Sequence, residues 1–230
     1  MLKKGSINDF VFKQHCIPWK IKIMLNRLSN YRYLIFNINT KKYWDNVWSN
    51  EINNNSYKKR RLDNLYSQIL ALLPVNSKLL DVGCGIGVFL QRAKTEKKCS
   101  VFGIDISKRA IDFIKSKEID GLAAKIPPIP LESNSFDVVV ATELLEHVTN
   151  PLKTMRELFR VAEIGGLCFI SVPDNCLLPY QEREHNHYFT EGRLKRVILN
   201  LNQNIKYNFF SVKEDNSNVK RLLAVCKKVS

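Results

Sequence analysis

A glycine-rich turn that directly follows an apolar strand pattern is the strongest candidate for a ligand site in this sequence. The run Asp81-Val82-Gly83-Cys84-Gly85-Ile86-Gly87 ends that strand and leads into a helical pattern. Glycines in such a turn allow a positive φ and let the backbone come close to a ligand. Val88 replaces the third glycine of the dinucleotide fingerprint, and the turn lacks the Gly-Lys-Ser/Thr of a phosphate-binding loop, so a pyrophosphate ligand is disfavoured. Asp81 suits a ligand that carries a cationic group.

A second carboxylate stands at the end of the next strand. The strand Val101-Phe102-Gly103-Ile104 is followed by Asp105, which lies 22 residues after Gly83. A carboxylate at this place in an open parallel sheet can accept hydrogen bonds from both hydroxyls of a ribose. Ile104 or Ile106 could flank an attached adenine. The turn and Asp105 therefore predict a nucleoside ligand with a positive charge.

Alternating strands and helices must position these residues. Strands are predicted at residues 78–82, 100–104, 136–141, 167–172, 206–213 and 219–227, and helices at residues 56–73, 88–94, 107–117, 151–161 and 190–201. This alternation argues for an α/β fold with a parallel sheet. The short polar turn between the last two strands predicts an antiparallel hairpin at one edge. Gly165 and Gly166 are expected to separate the fourth helix from the strand that follows it.

The N-terminal part of the chain differs from the rest in charge. The net charge is +14, of which +8 falls within residues 1–42, whereas residues 74–180 are neutral. We interpret residues 1–55 as a basic helical appendage and residues 56–230 as the α/β domain. Helical spacing of apolar residues between Ile21 and Ile35 predicts an amphipathic helix that docks on the core, lies on a membrane or covers a pocket. The basic charge also fits nucleic acid, anionic lipid or simple solvation.

The cysteines and the hydropathy pattern indicate a reducing, aqueous compartment. The six cysteines include no C-x-x-C pair, and no histidine cluster completes a zinc-finger spacing. Polar residues interrupt the apolar N-terminal stretch, and no segment is long and apolar enough to predict a membrane span. We expect a cytoplasmic protein that is soluble or peripherally attached to a membrane.

Together these motifs resemble those of the class I S-adenosylmethionine (SAM)-dependent methyltransferases over residues 76–175. The glycine turn is similar to the family's first motif, and Asp105 to its ribose-binding acid. Ser135-Phe136-Asp137-Val138-Val139 matches the start of the family's fourth strand, and Leu144-Leu145-Glu146-His147-Val148 matches the region after it. The resemblance implies a Rossmann-like, seven-stranded, mostly parallel sheet with an antiparallel C-terminal hairpin and helices on both faces.

The resemblance also implies how SAM would be bound. Many relatives place an acidic residue at the adenine, but residues 121–125 contain none, so backbone groups around Ala123 are expected to take its place. The stretch Tyr43–Trp48 resembles a helix that covers the cofactor. The expected cofactor contacts are Asp81, Gly83, Cys84, Gly85, Gly87, Asp105, Ile106, Ala123 and Glu143.

The acceptor is expected beside the stretch after the fourth strand. Methyl transfer from a sulfonium is an in-line displacement, which needs a base only where the acceptor must lose a proton. The candidate catalytic residues are Glu146, His147 and His187, although His147 could instead only fix the loop. The pattern from Glu143 to His147 is also similar to a metal-binding motif of some ubiquinone-pathway and small-RNA end methyltransferases, with His185 or His187 as a further ligand. Many relatives carry such a pair without a metal, so we assign no metal site.

The expected activity is methyl transfer to an oxygen or nitrogen of a small molecule such as a quinone, a sugar or a secondary metabolite. An RNA methyltransferase is the first alternative because of the basic N-terminus. Against it, the sequence lacks the Asn/Asp-Pro-Pro-Tyr and Pro-Cys motifs for base methylation and a recognisable RNA-binding module. The second alternative is a SAM-binding regulator or membrane-surface adaptor without catalysis.

Overall fold

A seven-stranded sheet with helices on both faces forms the centre of the computed structural model, which describes residues 37–56, 62–174, 184–215 and 220–229. The strands are β1 Lys78–Val82, β2 Ser100–Asp105, β3 Asp120–Ala123, β4 Phe136–Thr142, β5 Ala162–Pro173, β6 Ile205–Lys213 and β7 Lys220–Lys228. The helices are α1 Lys41–Asn53, α2 Asp63–Leu72, α3 Val88–Lys97, α4 Lys108–Lys115, α5 Pro151–Val161 and α6 Glu191–Leu199. The strand order is β3-β2-β1-β4-β5-β7-β6. Strands β1 to β5 pair in parallel and β7 is antiparallel to both neighbours, which confirms the predicted fold.

The sheet is buried on both faces, which explains its continuous apolar strands. Successive side chains of a strand point to opposite faces. Leu80 and Val139 accordingly belong to one hydrophobic cluster, whereas Leu79 and Val138 belong to the other. This arrangement fixes β1 and β4 side by side, with their carboxyl ends at the same edge of the sheet.

Three sequence predictions of element boundaries need correction. Strand β3 was not apparent in the sequence, because it has only four residues and contains a glycine. The expected break at Gly165 and Gly166 is wrong: α5 ends at Val161 and β5 begins at the next residue. The glycines lie inside β5 at a shift in its register with β4, where Gly165 has a φ of +84°, so they form an irregularity in the strand. Helix α2 begins at Asp63, and residues 57–61 lie outside the described part of the chain.

Helix α1 packs on the α/β domain beside the glycine turn. Trp48 forms a small buried cluster with Ile86 and Ala110. Asp45 Oδ1 accepts hydrogen bonds from Ser107 Oγ (2.7 Å) and from the main-chain N–H of Arg109 (3.1 Å) at the start of α4.

The rest of the N-terminal segment is only partly covered by the structure. The predicted amphipathic helix between Ile21 and Ile35 lies outside the described residues, and the domain division after residue 55 stays a prediction. None of the helices in the described ranges is long and apolar enough to cross a membrane.

Candidate active site

The glycine turn folds back onto the end of β2. The N–H groups of Gly83 and Cys84 both donate to the carbonyl of Ile104, at 2.7 and 3.0 Å. Gly83 and Gly85 have φ angles of +79° and +51°, which side chains other than glycine rarely accept. A Cβ on Gly85 would lie 2.6 Å from Trp48 Cζ2, so this position needs glycine for space as well. The turn is therefore held tightly between β2 and α1.

Asp105 connects the glycine turn with the start of α4. Its Oδ2 accepts from the N–H of Gly85 (2.9 Å), and its Oδ1 accepts from the N–H of Ser107 (2.8 Å). Burial raises the pKa of Asp105 to about 6, and these hydrogen bonds limit the rise. A carboxylate has about four lone-pair sites, so this geometry leaves acceptor capacity for two ribose hydroxyls.

Asp81 is a second buried carboxyl group beside the glycine turn. The residue is 2% exposed, and within the described part of the chain its Oδ1 has no hydrogen-bond partner. Burial, together with the nearby Asp105 charge, raises the pKa of Asp81 to about 8. An unsatisfied buried oxygen is costly, and a ligand with a sulfonium and an ammonium group would relieve that cost. The unsatisfied oxygen of Asp81 therefore fits the positively charged part of SAM.

A cavity of about 600 Å³ joins these residues to the end of β4. Most of the sequence-predicted site residues line it: Asp81, Gly83, Cys84, Gly85, Asp105, Ile106, Glu143, Glu146 and His147. Gly87 lies just outside, at the start of α3, and Ala124 rather than Ala123 lines the cavity. Ala123 borders a smaller depression next to it.

Glu146, His147 and His185 form a compact polar cluster in the wall of the cavity. One ligand atom from each residue lies within 4.8 Å of the others. Glu146 is 1% exposed, and neither of its carboxylate oxygens has a hydrogen-bond partner among the residues that the structure describes. Burial and the neighbouring Glu143 charge raise the pKa of Glu146 well above its usual range. The cluster thus combines a buried carboxyl group with two imidazoles.

His185, and not His187, completes this cluster. The rings of His185 and His147 meet edge to face with centroids 4.9 Å apart. His187 lies outside the cavity wall beside Phe189, and burial together with the charge of Arg193 lowers its pKa to about 4. Its main-chain N–H donates to the carbonyl of Glu146 at 3.0 Å. His187 therefore supports the cluster through its backbone in this geometry.

Glu143 is held by residues that the sequence analysis did not single out. Its φ is +52°, its Oε1 accepts from Ser171 Oγ (3.1 Å), and its Oε2 accepts from Arg221 Nε (3.1 Å). Arg221 belongs to β7, 78 residues further along the chain. No local pattern marks Ser171 or Arg221 as site residues, because only the sheet order brings them to Glu143.

This sheet order, with the glycine turn, the carboxylate of Asp105 and the cavity over the ends of β1 and β4, defines a class I SAM-dependent methyltransferase fold. The chain belongs to the methyltransferase-domain family, whose sequence model matches residues 55–214. The predicted family and its cofactor SAM are thereby confirmed.

Known proteins with detectable similarity agree with this assignment. A ubiquinone biosynthesis O-methyltransferase of Pseudomonas fluorescens is 34% identical over 101 residues, which are 41% of this chain and 43% of that protein. The chain thus matches less than half the length of this relative.

Solved structures share the fold at low sequence identity. A SAM-dependent methyltransferase of Thermotoga maritima, described as a possible histamine N-methyltransferase, has a TM-score of 0.64 at 16% identity and covers 81% of this chain and 99% of its own. Phosphoethanolamine N-methyltransferase 2 of Haemonchus contortus, in complex with SAM, has a TM-score of 0.59 at 14% identity, over 72% of this chain and 52% of its own.

Proposed function

We propose that this protein transfers the methyl group of SAM to an oxygen or nitrogen of a small molecule, and that a hydroxyl oxygen is the preferred acceptor. The observation that carries this proposal is the cluster of Glu146, His147 and His185 in the same cavity as the glycine turn and Asp105. A hydroxyl must lose its proton when it is methylated, so a nearby base accelerates that reaction. The similarity to an O-methyltransferase supports the same choice.

The cofactor would lie across the carboxyl ends of β1, β2 and β4. Asp105 would accept the ribose hydroxyls, Asp81 would face the cationic part of SAM, and Gly83 and Gly85 would let the backbone approach it. The protein's main contribution is to hold the sulfonium and the acceptor in line, because the leaving group is already activated. Helix α1 would cover the cofactor through Trp48.

His147 is the proposed base. Its Nδ1 lies 3.0 Å from the carbonyl oxygen of Glu184, which can only accept a hydrogen bond, so we assign the ring proton to Nδ1. The other ring nitrogen, Nε2, lies 3.9 Å from Glu146 Oε1 at the cavity. Burial and the Glu143 charge raise the pKa of Glu146, and Nε2 of His147 is the ring nitrogen left at the cavity, so we assign the base to His147.

A divalent ion is a second candidate for the same cluster. The two unsatisfied carboxylate oxygens of Glu146 favour it, because they are buried beside two imidazole rings. Two imidazoles and one carboxylate suit a transition metal better than magnesium. Glu146, His147 and His185 would hold the ion, which would polarise an acceptor hydroxyl. Metal analysis of the purified protein and of Glu146→Gln after dialysis distinguishes this candidate, since stoichiometric metal lost in the variant supports it.

The test of function uses methyl-labelled SAM. The purified protein is incubated with catechol as a hydroxyl probe, histamine as an amine probe, a small-molecule cell extract and bulk RNA, and products are identified by mass spectrometry. We expect label on hydroxyl groups, and His147→Gln should lower kcat/KM by about 100-fold or more while leaving the Kd of S-adenosylhomocysteine (SAH) within about twofold.

The remaining outcomes decide between the alternatives. Label found only in RNA would replace the proposal with RNA methylation. SAH binding without label in any fraction would support the non-catalytic regulator. Nucleic-acid or membrane contact through residues 1–42 stays a prediction, because most of these residues lie outside the described part of the chain.

A further inference from the structure

Asn39, just before helix α1, lines the same cavity as Glu184 and His147. Asn39 Nδ2 donates to the carbonyl of Glu184 at 2.8 Å, across 145 residues of sequence. Asn39 Oδ1 accepts from Trp44 Nε1 at 3.1 Å. The Trp44 ring in turn meets the ring of His147 edge to face, with centroids 5.2 Å apart and planes at 81°. The proposed base is therefore contacted directly by Trp44 of α1 and, through Glu184, by Asn39 before it.

Two N–H donors converge on one carbonyl oxygen at Glu184. Asn39 Nδ2 approaches it at 2.8 Å and His147 Nδ1 at 3.0 Å. A carbonyl oxygen has two lone pairs and can accept both bonds. The partner of one imidazole nitrogen decides which tautomer the ring adopts. The position of the Glu184 carbonyl therefore decides which ring nitrogen of His147 carries the proton. Asn39 thus bonds to the same carbonyl oxygen that His147 uses.

The ring of His147 is also confined between aromatic neighbours. Trp44 meets it on one side, and His185 meets it at 73° with centroids 4.9 Å apart. Asn186 Nδ2 donates to the carbonyl of His147 at 2.7 Å, which fixes the backbone beneath the ring. The Trp44 contact comes from α1, whereas His185 and Asn186 lie in the loop before α6.

We infer that Asn39 and Trp44 are positioning residues that hold His147 as the Nδ1–H tautomer, with Nε2 toward the cavity. The role given to that tautomer in catalysis rests on the proposed function, whereas the positioning itself does not. Trp48 and Asp45 seat the same helix on the glycine turn and on α4. The same helix therefore contacts both the glycine turn and the proposed base.

The tautomer can be measured without any acceptor. Ring-¹⁵N correlation spectra of the SAH-bound protein report which nitrogen of each of the four histidines carries the proton, and the loss of signals in His147→Gln assigns His147. We expect one protonated Nδ1 and one unprotonated Nε2 in the wild type. Asn39→Ala should give shifts averaged between the two tautomers.

Two further variants separate positioning from loss of structure. Asn39→Asp keeps an acceptor for Trp44 but removes the donor to Glu184, so it should change the tautomer while α1 stays seated. Asn46→Ala, at an exposed position of α1, is the matched control and should leave the spectrum unchanged. Tryptophan fluorescence and the Kd of SAH, both expected within about twofold of wild type, report whether α1 is still in place.

The results distinguish this inference from the proposed function. Loss of one hydrogen bond of about 1 kcal/mol should lower kcat/KM about fivefold in Asn39→Asp with the labelled cell extract as the acceptor source. A tautomer shift in this variant, together with full turnover in His147→Gln, would keep the positioning role and remove the base. An Asn39→Asp spectrum identical to that of the wild type would overturn the positioning role, whatever the turnover.

Discussion

Replacing Asp105 tests whether the cavity binds the cofactor as described. The side chain accepts hydrogen bonds from the N–H groups of Gly85 and Ser107, at 2.9 and 2.8 Å, and we propose that it also accepts the ribose hydroxyls. A hydrogen bond to a charged group contributes about 1.5–3 kcal/mol. Water can replace part of these bonds at an open site, so we expect a net loss of about 1.5–3 kcal/mol. This corresponds to a rise in the Kd of SAH of roughly 10- to 150-fold.

Isothermal titration calorimetry with SAH measures this loss for two substitutions. Asp105→Ala removes all acceptors. Asp105→Asn keeps the shape but turns an amide NH₂ toward the N–H of Gly85 or Ser107, so we expect it to be no better than alanine. Asp112→Asn is the matched control, because Asp112 is exposed on α4 and pairs only with Lys108 among the described residues.

Urea unfolding of each variant separates weakened binding from weakened folding. A Kd for Asp105→Ala within twofold of the wild type and of the Asp112→Asn control, in a folded protein, would refute the placement of the ribose at Asp105. A loss of affinity in the control of the same size would show that charge alone, and not this contact, is responsible.

Three further substitutions test other parts of the structure. Gly85→Ala should displace the Trp48 ring, which would shift the tryptophan emission, and should weaken SAH binding about tenfold or more. Adding Trp48→Ala should remove the clash and leave only backbone strain of about 1–3 kcal/mol. An unshifted emission in the single variant would contradict the contact between Gly85 and Trp48. The pKa of Asp81 is about 8 in the folded protein, whereas the usual pKa of an aspartate is 3.8. Ionisation of Asp81 therefore opposes folding, and the free energy of unfolding falls as the pH rises from about 4 to about 8. Asp81→Asn should therefore gain stability over wild type across that window, by up to on the order of 5 kcal/mol at pH 8, while losing SAH affinity; a pH-independent difference in urea unfolding would contradict this. Lys228 donates to two main-chain carbonyls and one amide oxygen at 2.7–2.8 Å, so Lys228→Met should lower the free energy of unfolding by about 2–4 kcal/mol and leave the Kd of SAH unchanged.

Most of the fold could be predicted because its signals are local. Alternation of apolar strands and capped helices gave six of the seven strands, and Ser107 and Thr190 cap helices as expected. Strand β3 was missed because a four-residue strand with a glycine has almost no pattern of its own. The break expected at Gly165 was wrong because glycine fits a strand irregularity as well as a helix end.

The candidate site was predictable at its cofactor end but much less so at its acceptor end. The glycine turn and Asp105 each lie at the end of a strand, and the parallel pairing of β1 with β2 necessarily brings them together. The sequence left His185 and His187 both open as the histidine that joins Glu146 and His147, with His187 as a candidate catalytic residue, whereas the structure places His185 in the cluster. His185 and His187 are separated by one residue, so the sequence pattern does not distinguish them. Only the path of the backbone decides which ring faces the cavity.

The sequence alone therefore determined the class of fold, the glycine turn and the carboxylate that faces it, because these depend on contacts between neighbouring elements. The tertiary structure decided that Arg221 reaches Glu143, that His185 joins Glu146, and that Asn39 bonds to Glu184. These pairs are separated by 39 to 145 residues, and they meet only because the sheet order and the packing of α1 close those long loops. No periodicity or motif predicts these long-range contacts, because each depends on how the whole chain is folded.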